Sequence, residues 1–262
     1  MNTILISGLV ALGVAFLLGV FKQVFHVETD PKVEEVRAVL PGANCGACGY
    51  PGCDGFAAAV AKGEAPTNGC TVGAAEVASK VSKIMGVEAA SSEKKIVHLL
   101  CQGCYEVSKP KANYVGVKTC AAAKTSINGT KECDWGCIGF GDCAVACPFD
   151  AISVLDNGLV AIDEEKCTGC GICVAQCPQH ILYLLPKNTK GALALCNCRN
   201  PRKQVIMKNC KRGCIKCGKC ERVCAVQALK LVDGIPKIDY TTCTSCGACV
   251  EGCPTKVLTL IE

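Results

Sequence analysis

The chain opens on an uninterrupted apolar stretch. No charged side chain occurs in residues 1–21, and residues 3–21 read TILISGLVALGVAFLLGVF. As a helix rising 1.5 Å per residue, this run is about long enough to span a bilayer core. No Lys or Arg precedes it and no A-x-A site follows, which favours a retained anchor over a cleaved signal. Lys22 flanks its C-terminal end, so the positive-inside bias directs the rest of the chain to the cytoplasm.

The pattern then changes to a helical period. Asp30-Pro31 supplies a capping residue and a proline at the first helical position, and Val33, Val36, Val39 and Leu40 form one apolar face that Pro41-Gly42 ends. Segments 54–63 and 74–85 also read as helices, the latter through Ala74, Val77, Ala78, Val81 and Ile84. Residues 86–95, GVEAASSEKK, read as a linker. Beyond it the apolar runs have strand length: 96–100, 152–155, 159–162, 229–232 and 235–238, with another short strand before Cys196. Asn157-Gly158 and Asp233-Gly234 are hairpin turns joining two pairs of these strands. The expected class is α+β, with an N-terminal transmembrane helix (1–24), a small helical domain (28–87) and two tandem modules of one pattern (96–186 and 190–262), which the cysteines below mark as ferredoxin-like.

Cysteine gives these elements their chemistry. There are 26 cysteines in 262 residues. The spacings are those of iron-sulfur ligands rather than of a disulfide scaffold, and three evenly spaced cysteines followed by C-P differ from the paired arrangement of a zinc ribbon. Cys167, Cys170, Cys173 and Cys177 before Pro178 make a complete C-x2-C-x2-C-x3-C-P run. Cys243, Cys246, Cys249 and Cys253 repeat it, as do Cys214, Cys217, Cys220 and Cys224, with Ala225 in place of proline. A fourth run, Cys137, Cys143 and Cys147, carries Phe140 where a cysteine belongs. Upstream, Cys45, Cys48, Cys53 and Cys70 can close around one more cube.

In a two-cluster ferredoxin the last cysteine of each run ligates the other cube. That rule groups Cys147 with Cys167, Cys170 and Cys173; Cys253 with Cys214, Cys217 and Cys220; and Cys224 with Cys243, Cys246 and Cys249. The incomplete site keeps Cys137, Cys143 and Cys177, either as a three-ligand cluster or completed by Cys133. Cys101, Cys104, Cys120 and Cys133 are the alternative ligands of an extra cluster. Cys196, Cys198 and Cys210 are further ligands or buried thiols. Five or six [4Fe-4S] clusters are expected. Because a fully cysteine-ligated cube has no open position, outer-sphere electron transfer is the chemistry expected, with no catalytic residue in this chain.

Other functions lack their residues. His26, His98 and His180 are too scattered for haem or a Rieske site, and no dinucleotide fingerprint, P-loop or serine triad is present. The net charge of +5 hides an asymmetry, since residues 186–222 contain eleven Lys or Arg against the single acid Glu221. This segment reads as a docking surface for an acidic redox partner, or simply as a solvated face. Nucleic acid is not expected, as no aromatic residues interleave with the charges.

The apolar N-terminus, CGACGYPGC with its later cysteine, GCIGFGDCAVACPFDAI and the further ferredoxin runs together resemble the B-type subunit of the Rnf complex in its extended form, across essentially the whole chain. The resemblance implies a membrane complex that moves electrons between reduced ferredoxin and NAD and couples this to Na+ or H+ translocation. It implies soluble ferredoxin as donor, flavin-bearing and membrane subunits as partners, and a single-pass location in the cell (inner) membrane with cytoplasmic domains. A stand-alone membrane-anchored polyferredoxin and a zinc-binding interaction protein are the competing readings.

Overall fold

The structure is a computed structural model that describes residues 2–24, 30–88 and 93–261, with side chains in the first stretch described from Ile6 to Phe21. Helix α1 (Asn2–Val24) carries the apolar run, and its large side chains lie exposed, Phe16 at 75% and Leu12 at 70%. Among the described residues no helix is long and apolar enough to cross a membrane. Residues 6–21 measure about 24 Å at helical rise, against roughly 30 Å for a bilayer core. The expected span starts at Met1, which lies outside the described residues.

Helix α2 (Pro31–Val39) starts at its cap, where the Asp30 carboxylate accepts the Lys32 amide at 2.9 Å. With α3 (Gly52–Ala61) and α4 (Ala74–Met85) it encloses Val36, Phe56, Val60 and Val81, all buried. Arg37 of α2 pairs with Asp54 of α3 at 2.6 Å. These three helices hold the loop that carries Cys45 and Cys48, and Cys53 stands in the first turn of α3.

The rest of the chain repeats one plan twice. In the first half come β1 (Lys95–Leu99), α5 (Cys120–Ile127), α6 (Asp142–Val145), β2 (Ile152–Val154), β3 (Val160–Ile162), α7 (Ile172–Gln176) and β4 (Leu182–Pro186). In the second come β5 (Gly191–Ala194), α8 (Lys203–Asn209), α9 (Lys219–Arg222), β6 (Leu229–Val232), β7 (Ile235–Ile238), α10 (Ala248–Glu251) and β8 (Leu258–Ile261). In each half the first and last strands pair antiparallel, Ile96 opposite Leu185 and Ala192 opposite Leu260, and the middle two form a hairpin. The mixture of helices and short antiparallel strands agrees with the α+β expectation.

The turns follow local chemistry. Asp233 and Gly234 take consecutive left-handed conformations, φ 51° and 73°, as a type I′ hairpin requires. Gly158 turns the β2–β3 hairpin under close approach: a Cβ there would meet the Tyr105 ring at 2.4 Å, and one on Gly139 would meet the Gly158 carbonyl oxygen at 2.6 Å. That hairpin is thereby locked against the loop after Cys137.

Candidate metal-cluster sites

The four cysteine runs share one backbone trace. Two residues after the first cysteine the chain turns left-handed, at Gly139, Gly169, Lys216 and Ser245. A left-handed glycine then precedes each short helix, Gly141 before α6, Gly171 before α7, Gly218 before α9 and Gly247 before α10. Three residues past the last cysteine, Asp150, His180, Gln227 and Lys256 sit at φ 49°, 50°, 55° and 50°. Such αR-to-αL alternation forms concave amide nests suited to anionic groups. The run at Cys137 keeps every one of these turns despite Phe140, so loss of one sulfur has left the loop unchanged.

Among the described residues, cysteine sets line cavities that include the following four. The first, about 340 Å³, collects Cys45, Cys48, Cys53 and Cys70 over Leu40 and Phe56. Here the Asn44 side-chain oxygen accepts the Cys53 amide at 2.8 Å and sets the loop. The second, about 370 Å³, collects Cys137, Cys143, Cys177 and Cys120. The third, about 340 Å³, collects Cys214, Cys217, Cys220 and Cys253, the grouping expected from the cross-run rule. The fourth is larger, about 560 Å³, and takes sulfurs from both halves: Cys101, Cys133, Cys196, Cys198 and Cys210.

Two further sets are drawn together by the same folding of one run onto the next. Burial pushes the Cys173 thiol up to about 12, and the sulfurs of Cys170, Cys143, Cys167 and Cys147 add to the rise, Cys143 belonging to the neighbouring set. Burial likewise raises Cys249, with Cys224, Cys243 and Cys246 contributing. Both sets are those the run spacing predicts. Amides also point at sulfur in matching places, Ala151 to Cys147 at 3.4 Å and Val257 to Cys253 at 3.3 Å. Such N–H···S bonds tune cluster potential.

Cys120 is the residue that sequence reasoning misplaced. Thr119 caps α5 by accepting the Ala122 amide at 3.2 Å, and Asp142 of α6 accepts the amides of Cys120 and Ala121 at 2.7 and 2.9 Å. The start of α5 is thus clamped to α6, and the Cys120 thiol lines the incomplete run's cavity. Phe140 turns toward Tyr114, their ring centroids 5.7 Å apart. Burial lifts Cys143 to about 11, and the sulfurs of Cys177 and Cys120 reinforce it. The expected quartet of Cys101, Cys104, Cys120 and Cys133 is therefore divided: Cys120 lines one cavity, Cys101 and Cys133 another, and Cys104 neither. Cys133 does not join the Cys137 set either. The signal that could have found Cys120 was the Thr119 cap, which marks it as the first residue of a helix.

The donor chemistry suits iron-sulfur cubes. Among the described residues, no group of three or more His, Cys, Asp or Glu is arranged to hold a single metal ion. The sulfurs line spaces whose walls are mainly apolar.

Sequence comparisons agree with this layout. Residues 40–72 match an Fe-S cluster family, and residues 132–183 and 213–257 match two families described as 4Fe-4S dicluster domains. The B-type subunit of the Na(+)-translocating ferredoxin:NAD(+) oxidoreductase complex of Acetobacterium woodii is 40% identical, over 90% of this chain and 71% of its own length. The B-type subunit of an ion-translocating oxidoreductase complex from Methanosarcina acetivorans is 36% identical over 99% of this chain and all of its own. Its counterpart in the proton-translocating ferredoxin:NAD(+) oxidoreductase complex of Clostridium ljungdahlii is 35% identical over the whole chain and 94% of its own length.

Proposed function

The chain belongs to the B-type subunit family of ion-translocating ferredoxin:NAD(+) oxidoreductase complexes, and from that membership we propose how its residues receive and route electrons. It is an iron-sulfur electron-transfer subunit of such a complex. When bound, [4Fe-4S] clusters supply one-electron carriers with no open coordination position. The chain's own part is to hold them, tune them and set their order.

The observation that carries this reading is the convergence of cysteines from separate runs on shared cavities. Cys45, Cys48, Cys53 and Cys70 hold one cube, and Cys147, Cys167, Cys170 and Cys173 the next. Cys120, Cys137, Cys143 and Cys177 hold a third, with Cys120 replacing the ligand lost at Phe140. Cys214, Cys217, Cys220 and Cys253, then Cys224, Cys243, Cys246 and Cys249, hold two more. Continuity between the N-terminal array and the first half is supported by Cys45, whose sulfur adds to the rise that burial imposes on Cys170.

Reduced soluble ferredoxin is the donor, and it docks on the basic segment. Of the eleven cations in residues 186–222, ten are exposed, and the exposed Cys217 lies among them. An acidic carrier steered there meets a ligand sulfur at the surface. The apolar, exposed face of α1 serves as the membrane anchor that keeps the chain beside its partner subunits, with the cluster domains on the cytoplasmic side. The test is anaerobic purification of the full chain followed by iron and acid-labile sulfide analysis and stopped-flow reduction by ferredoxin. Iron and sulfide in equal amounts, with rapid cluster bleaching, is expected. Zinc without sulfide would overturn the reading.

A further inference from the structure

The cavity lined by Cys101, Cys133, Cys196, Cys198 and Cys210 belongs to neither ferredoxin-like half alone. Cys101 follows β1 and Cys133 precedes the run at Cys137, both in the first half; Cys198 follows β5 and Cys210 ends α8 in the second. Cys101, Cys198 and Cys210 lie outside the residues matched to cluster families, and Cys133 lies one residue inside a match.

The surroundings of this cavity are duplicated like the rest. Leu100 donates to Ile181 O and Leu195 to Val257 O, each at 2.8 Å, immediately before Cys101 and Cys196. The Cys137 amide points at Cys101 Sγ (3.4 Å) as the Cys214 amide points at Cys196 Sγ (3.3 Å). Gly136 donates to Cys133 O and Gly213 to Cys210 O, both at 3.2 Å. The halves are stitched across this place, Lys109 to Asn209 O and Lys211 to Val107 O at 2.9 Å, and Gln102 Nε2 to Lys256 O at 2.8 Å.

We propose that Cys101, Cys133, Cys198 and Cys210 bind a sixth [4Fe-4S] cluster across the junction of the two halves. Shared lining selects these sulfurs: all four face the same cavity, Cys198 and Cys101 raise the Cys133 thiol beyond what burial does, and Cys101 and Cys198 both add to the rise that burial imposes on Cys210. Cys196 lines the same cavity, its sulfur accepting the Cys214 amide as that of Cys101 accepts the Cys137 amide, but the sulfurs that raise Cys133 and Cys210 are those of Cys101 and Cys198. Trp135 and Ile206 stand in the walls beside polar side chains that include Glu132 and Asn200. Lys131 also lines the cavity, 3% exposed, its ammonium held by Gly158 O at 2.8 Å and 5.4 Å from the centre of the Tyr105 ring.

Position gives the site its role. Cys101 adjoins Cys137 of the Cys120, Cys137, Cys143 and Cys177 set on one side, and Cys196 of the same cavity adjoins Cys214 of the Cys214, Cys217, Cys220 and Cys253 set on the other. The sixth cage therefore joins two otherwise separate pairs into one relay. An electron arriving from one neighbour leaves to the next, with no proton or bond changed at the cysteines.

This inference rests on the electron-transfer reading, and the experiment separates the two. The full chain, Cys133→Ser, Cys198→Ser and the control Cys104→Ser are purified anaerobically and compared by iron, sulfide, zinc and Mössbauer spectra. Each site variant should lose about four iron and four sulfide per chain, while Cys104→Ser should lose none. Because a ligand variant can misfold, the wild-type chain is also alkylated natively and mapped by mass spectrometry; Cys101, Cys133, Cys198 and Cys210 should be protected until the clusters are stripped. Unchanged iron in both variants, loss of one zinc or of a two-iron cluster instead, or a Cys133–Cys198 disulfide would overturn the sixth site while leaving the five others standing. Wild-type protein without iron would overturn the electron-transfer reading itself.

Discussion

The carboxylate of Asp142 accepts the backbone amide of Cys120 at 2.7 Å across 22 residues of chain. This one contact brings a helix start to a cysteine run that lacks a sulfur. Cys120→Ser should convert that site to a labile or three-iron cluster, a loss of about one to four iron per chain with a new EPR signal. Asp142→Asn should keep the iron but weaken a charge-assisted clamp by about 1–2 kcal/mol, seen as a melting temperature lower by a few degrees. Full iron and an unaltered spectrum in Cys120→Ser would remove Cys120 from the ligand set.

Lys131 is buried, donates to Gly158 O at 2.8 Å and lies 5.4 Å from the centre of the Tyr105 ring. Its charge lowers both Cys137 and Cys210, partly opposing the burial that raises each. Lys131→Met should therefore drive the potential of a neighbouring cluster more negative, by on the order of tens of millivolts, in an EPR-monitored redox titration. A titration superimposable on wild type would show that the lysine serves packing alone.

Loading should depend on pH. Thiols at Cys137 and Cys173 pushed up to about 12, and at Cys143 and Cys220 to about 11, are protonated near neutrality. Clusters bind thiolates, so reconstitution releases protons and strengthens as pH rises from about 6 to 8. Acidification of a weakly buffered anaerobic reconstitution measures the release directly.

Gly158→Ala and Gly86→Ala separate crowding from backbone strain. Both glycines are left-handed, at φ 77° and 69°, but a Cβ on Gly158 would meet the Tyr105 ring at 2.4 Å, while one on Gly86 would meet nothing within 4 Å. Gly86→Ala should cost about 1 kcal/mol, whereas Gly158→Ala should cost more, since the Tyr105 ring must move. Thermal melts of the two variants should rank in that order.

Ferredoxin docking on the basic segment should be screened by salt. Raising ionic strength from about 0.01 to 0.5 M shortens the Debye length several-fold, and the bimolecular reduction rate should fall by at least about tenfold. Lys203→Glu with Lys208→Glu, both exposed on α8, should reproduce that loss at low salt. A rate indifferent to salt would put the donor elsewhere.

Much of this was legible because its signals are local. Capping at Asp30, the Asp233-Gly234 turn and the apolar run of α4 each act within a few residues, and the elements appear where those signals place them. The run spacing likewise anticipates the cage of Cys214, Cys217, Cys220 and Cys253, because neighbouring loops of one half fold onto each other. Cys120, Cys133, Cys198 and Cys210 obey no such rule. Their grouping depends on where α5 is clamped and how the halves meet, and those are tertiary contacts between residues far apart in the chain.

A cavity walled by both halves makes the chain indivisible in one respect. Cutting between β4 and β5 would yield two fragments, each with its own hairpin and terminal strand pair. Neither would contain all the sulfurs of the junction, since Cys101 and Cys133 would part from Cys198 and Cys210. The tandem repeat is more than two copies of one device, because its seam holds something a single copy cannot build.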